Sequence, residues 1–62
     1  MTFVELEIIL KRDGWHYYAS VGFHIQYKHR YKTGKITIPK HRGDIKNGTL
    51  NAILKQAGLK VI

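Results

Sequence analysis

The 62-residue sequence has no cysteine, a single proline, four acidic residues and no long apolar run. Without a thiol, neither a disulfide nor a thiolate metal site can form, which fits a reducing compartment. The longest apolar run of the N-terminal segment, Ile8-Ile9-Leu10, is far too short to cross a bilayer or to serve as a signal-peptide core. A cytoplasmic protein with no membrane role is therefore expected. His16, His24, His29 and His41 show none of the tight paired spacings of a zinc site, so neither a metal nor another cofactor is expected. Acid is missing from the middle of the chain altogether, with none from Gly14 to Gly43.

What fills that gap is positive charge. Eleven Lys and Arg stand against four Asp and Glu, for a formal charge of +7 and a pI near 10.0. Lys28, Arg30, Lys32, Lys35, Lys40, Arg42 and Lys46 all crowd into the middle. A basic face that served only solubility would usually interleave both signs, so this one is expected to meet a polyanion, with nucleic acid as the leading class. The length bounds the fold as well. Residues 1–62 make one domain, and a chain this short buries only about 60 % of the surface its unfolded form exposes.

Thr2-Phe3-Val4-Glu5 has the form of a capping box, and Phe3, Leu6, Ile9 and Leu10 follow at helical spacing. Lys11 and Arg12 suit the negative end of the helix dipole and Gly14 supplies a left-handed cap, which predicts a helix from about Phe3 to Asp13. Val4 and Ile8 lie off that stripe. They are expected to pack under the second helix or to stay half exposed, with a partner-binding patch as the alternative.

Trp15 to Val21 is rich in β-prone residues and alternates, with Trp15, Tyr17, Ala19 and Val21 expected inward and His16, Tyr18 and Ser20 outward. Gly22 bends the chain into a second strand in which Ile25 and Tyr27 point in and His24, Gln26 and Lys28 point out. His29 falls inward and is read as structural. Lys32-Thr33-Gly34 makes the next turn, before Lys35-Ile36-Thr37-Ile38-Pro39 turns its isoleucines in and Lys35 and Thr37 out. Pro39 ends that strand, residues 40–44 form a basic loop, and Asn47 is a plausible N-cap for a helix from about Gly48 to Ala57. Leu50, Ile53, Leu54 and Ala57 form its stripe, and Gly58-Leu59 its left-handed end.

The order α-β-β-β-α predicts an α+β two-layer sandwich, a three-stranded antiparallel sheet with both helices on one face. The other face stays wet. It gathers Tyr18, His24, Gln26, Lys28, Lys35 and Thr37. An imidazole titrates near neutrality and can take or give a proton, while nearby ammonium groups hold phosphate, so this face suits RNA backbone cleavage. The bland alternative for His24 is a solvated polar residue, and for the cations a non-specific basic surface.

Gly22-Phe23-His24, Gln26-Tyr27-Lys28-His29, Gly34-Lys35-Ile36-Thr37-Ile38-Pro39 with Lys40-His41, and the ending Gly48-Thr49-Leu50 through Ile53-Leu54-Lys55-Gln56-Ala57-Gly58-Leu59 together resemble the HicA toxin family of YcfA-like mRNA interferases. The resemblance covers nearly the whole chain, and the order and spacing of the pieces make it specific. It implies a fold similar to a double-stranded-RNA-binding domain and metal-independent cleavage of messenger RNA by the toxin of a type II toxin-antitoxin system. It further implies neutralisation by a cognate HicB antitoxin, with oligomers forming only through that complex. The family's catalytic histidine, in its Gly-Ser-His motif, falls on His24. Phe23 stands where the family usually has serine, a departure that could weaken or retune the enzyme.

His24 is the expected general base or acid, Lys28 and Lys35 the phosphate-binding pair, Tyr18 a stacking or hydrogen-bonding group, and Lys40 and Arg42 further RNA contacts. A second proton carrier is not obvious. His41 is a candidate for it, although a loop histidine bonded to backbone or water is the plainer account. A non-catalytic double-stranded-RNA-binding module is the competing class, since the same topology reads A-form RNA by shape and phosphate contacts. Such modules usually carry a lysine cluster at the start of the second helix, whereas here Lys46 stands nearly alone. A third class makes the chain mainly a subunit whose basic face meets an acidic protein.

Overall fold

The computed structural model describes residues 1–40 and 43–61. Its elements run α1 (Phe3–Asp13), β1 (Trp15–Val21), β2 (His24–His29), β3 (Lys35–Pro39) and α2 (Asn47–Gln56). The three strands pair antiparallel in the order β1-β2-β3, with α1 packed nearest β1 and α2 nearest β3. No helix among the described residues is long and apolar enough to cross a membrane.

Helix α1 starts where its capping box forms. The Thr2 hydroxyl accepts from the Glu5 amide at 3.2 Å while the Glu5 carboxylate accepts from the Thr2 amide at 2.9 Å. That backbone donor, followed by the Thr2 side chain, holds the Glu5 carboxyl below its ordinary range. Gly14 ends the helix at φ 107°, and a Cβ built there would lie 2.6 Å from the His29 Nε2. Only glycine fits both the backbone angle and the space.

Leu6 and Leu10 of α1 and Leu50, Ile53 and Leu54 of α2 close over Trp15, Tyr27, Ile36 and Ile38 of the sheet, and Ala57 and Ile45 complete the core. Ile45 lies outside both predicted stripes. It is drawn in because its amide donates to the Met1 carbonyl at 2.7 Å beside the Thr2–Asp44 bridge, which fastens the chain ahead of α2 to the N-terminus. The buried Tyr27 hydroxyl donates to the Glu7 carboxylate, joining β2 to α1. Burial, then that bond, pushes the phenol well above its ordinary pKa.

Two sequence expectations need correction. The first concerns β1, which was expected to alternate regularly from end to end. Tyr18 is an extra residue, a bulge, between the pairs Tyr17↔Tyr27 and Ala19↔Gln26. Beyond it the facing reverses, so Ala19 and Val21 join Gln26 and His24 on the uncovered side, and Ser20 joins Ile25 on the helix side. The second concerns α2, which begins at Asn47 with Lys46 as its N-cap and no side-chain cap bond. Asn47 is thus the first helical residue and not the cap. At the other end Gly58 adopts φ 73° and the Leu59 amide donates to the Leu54 carbonyl at 2.8 Å, the left-handed ending its sequence predicts.

Val4 and Ile8 do not pack under α2. They are 60 % and 46 % exposed.

Candidate nucleic-acid interface

Residues directly opposite in an antiparallel pair share a face, so the register arranges the uncovered side into three rows that cross all the strands. At one end His16, Lys28 and Lys35 stand abreast; in the middle come Ala19, Gln26 and Thr37; at the other end Val21, His24 and Pro39. None of the three strands contains an acidic residue.

The first row is cationic. Lys28 and Lys35 face each other directly, a like-charge pair that costs stability in a sheet. Tyr18 offsets part of that cost, because the bulge places its ring beneath both ammonium groups, 4.6 Å from Lys28 Nζ and 5.4 Å from Lys35 Nζ. The aromatic side chain and the two lysines read from the sequence are therefore together.

The third row holds the imidazole. His24 opens β2 after the two-residue loop Gly22-Phe23, in which Gly22 takes φ 59° as the first central residue of a tight hairpin requires. His24 is exposed and makes no hydrogen bond with the described residues. Phe23 beside it is 80 % exposed and takes no part in the core. Val21 and Pro39 flank the ring and offer no charge. Their place beside His24 was missed in the sequence, and the signal was the loop itself: a two-residue hairpin puts Val21 and His24 opposite each other on one face.

The remaining sequence candidates divide. Lys40 follows β3, its amide donating to the Phe23 carbonyl at 2.7 Å, and its ammonium lies 5.9 Å from the Phe3 ring on the α1 side of the sheet. It borders an apolar groove of about 580 Å³ formed by Phe3, Val4, Phe23 and Ile25, away from the Lys28–Lys35 row. Arg42 and His41 lie outside the described residues. Lys32 faces away from the open side altogether. Its ammonium donates to Asp13 Oδ2 at 2.6 Å and to the Ala57 carbonyl at 2.8 Å, tying α1 to the end of α2. Hydrogen bonding from Lys32, opposed by partial burial, leaves the Asp13 carboxyl below its ordinary pKa. Among the described residues no cluster of three or more His, Cys, Asp or Glu could hold a metal ion.

Comparison with known families matches residues 4–59 to the one described as HicA toxin of bacterial toxin-antitoxin, which leaves out only the first three and last three residues. Comparison with curated proteins gives no match. A match over almost the entire chain, on an open-faced α-β-β-β-α sandwich, settles the family: the chain belongs to the HicA toxins of bacterial toxin-antitoxin systems.

Proposed function

We propose that the chain is the toxin of a type II system and acts as a metal-independent endoribonuclease on messenger RNA, with His24 as its proton-transfer residue. The observation that carries this proposal is the uncovered sheet face, which presents an exposed imidazole at one end, without a hydrogen-bond partner among the described residues, and at the other a lysine pair on strands that contain no acidic residue. In the reaction, His24 takes the proton of a ribose 2′-hydroxyl as its oxygen attacks the adjacent phosphorus. The bond from phosphorus to the 5′-oxygen then breaks, leaving a cyclic phosphate on one fragment. The departing oxygen takes its proton from solvent or from His41. Lys28 and Lys35 bind the RNA backbone, Tyr18 holds their ammonium groups in place and offers a ring edge to a base, and Arg42 adds a further contact, while Lys40, on the α1 side of the sheet, meets only RNA that passes round the β3 end.

A cognate HicB-type antitoxin would neutralise the toxin in the cytoplasm, where its substrate lies. A single general base contributes about a hundredfold to ten-thousandfold, so the enzyme is slow and relies on backbone binding. Slow cutting of messenger RNA is enough to halt growth.

The test uses purified protein and end-labelled RNA in EDTA. An endonuclease yields discrete fragments that accumulate with time. Intact RNA that only shifts in a native gel would instead assign the chain to the non-catalytic RNA-binding class.

A further inference from the structure

The lysine pair and the imidazole stand in different rows of the sheet. His24 and Lys28 are four residues apart on the same strand, and at the rise of an extended strand their backbone positions are about 13 Å apart. Lys35 stands opposite Lys28 in the same row and is no nearer. The row between them, Ala19, Gln26 and Thr37, carries only small or neutral hydrogen-bonding groups, and the row of His24 carries Val21 and Pro39. The strongest cationic point on the open face is thus displaced from the point of proton transfer by the length of several sugar-phosphate units.

From this register we infer that Lys28 and Lys35, aligned over Tyr18, form an anchoring site for a phosphate other than the scissile one. The substrate strand then runs along β2 from the anchor to His24. The inference rests on the open face being the RNA-binding face, as proposed above. A gap of about 13 Å takes up at most about four nucleotides at the stacked rise of about 3.4 Å each, and fewer when the strand is extended. Gln26 and Thr37, midway, face the intervening sugars and bases. The directly opposed lysines make sense on this account, because a bound phosphate relieves the repulsion that the free protein carries. The enzyme accordingly requires a single strand long enough to touch both points, and the distance between them sets where the cut falls relative to the held phosphate.

Two arms test the anchor, and both use single-stranded RNA of mixed sequence. In the kinetic arm, wild type and the double variant Lys28→Gln/Lys35→Gln cleave an octamer and a dinucleotide. Wild type is expected to lose at least tenfold in KM on the shorter substrate and the variant less than threefold; an equal length penalty in both proteins overturns the anchor. In the binding arm, octamer affinity is followed against salt in a His24→Ala background. The lysine substitutions are expected to make the logarithmic slope shallower by about 1.4, two phosphate contacts on a single strand. An unchanged slope overturns the anchor even if His24 proves catalytic. Persistent cleavage by His24→Ala, in contrast, removes the proposed chemistry and leaves the binding arm to decide the anchor. A melting temperature at or above that of the parent shows that the double variant is folded.

Discussion

Strand β2 carries a histidine at each end, and the two sit in opposite surroundings. His29 is enclosed, its side chain 7 % exposed. Its Nδ1 accepts from the amides of Tyr31 and Lys32 at 3.0 and 3.1 Å, its Nε2 donates to the Asp13 carbonyl at 2.6 Å, and its edge meets Trp15. With Nδ1 accepting and Nε2 donating, these bonds leave no nitrogen for other work. His24, five residues earlier, has the opposite strand parity, lies in solvent and makes no hydrogen bond with the described residues. The same side chain is enclosed where the backbone converges on it and left in solvent where the sheet is bare.

Removing the enclosed ring should have the largest effect on folding. His29→Ala strips two amides and a carbonyl of their partner at the junction of α1 with β2, and is expected to cost about 2 kcal/mol. For a domain of this size that lowers the melting temperature by roughly 8–16 °C, as calorimetry would show. Gly14→Ala attacks the same junction from the other side, since its methyl would meet the His29 ring and its φ of 107° disfavours any side chain. A loss of about 1–2 kcal/mol is expected, visible in urea unfolding.

A smaller effect separates the charged clasp from the ring beside it. Asp13 has a folded-state pKa below its unfolded value, so its contribution is full above the ordinary carboxylate range and is lost as pH falls through the folded value. Lys32→Met should therefore destabilise the protein more at neutral pH than in strong acid, where Asp13 is protonated and only the Lys32 bond to the Ala57 carbonyl remains to be lost. The clasp is partly exposed, so about 1 kcal/mol is an upper bound at neutral pH. Denaturation midpoints at the two pH values give the difference. The smallest effect on stability is expected at Phe23, whose ring is nearly all in solvent: Phe23→Ser should leave stability within about 0.5 kcal/mol. Its cleavage rate then reports directly what the aromatic ring does beside His24.

Much of the architecture could be read from local chemistry. The capping pair Thr2 and Glu5 and the glycine at position 14 bounded α1 correctly, because each acts within a few residues of itself. The inward Ile36 and Ile38 and the outward Lys35 and Thr37 followed from simple alternation. The bulge at Tyr18 was not read, because two adjacent tyrosines suit either face and alternation alone supplies no reason to skip a residue. It was nevertheless implied: Trp15 inward and His24 outward, joined by a two-residue loop, cannot both hold along an unbroken β1. Ile45 depends on contacts with the N-terminus, which lies more than forty positions away in the sequence, and the start of α2 carries no side-chain cap bond to read. For the site, parity placed His24, Lys28 and Lys35 on one face, but the distance between them emerged only when the rows were laid out.

The claim that the bare end of β2 does chemistry while the enclosed end holds the fold is tested most directly by His24→Ala, with RNA cleavage and thermal unfolding measured on the same preparation. Cleavage should fall by a hundredfold or more while the melting temperature stays within a few degrees of wild type. Undiminished cleavage by that folded variant would contradict the account.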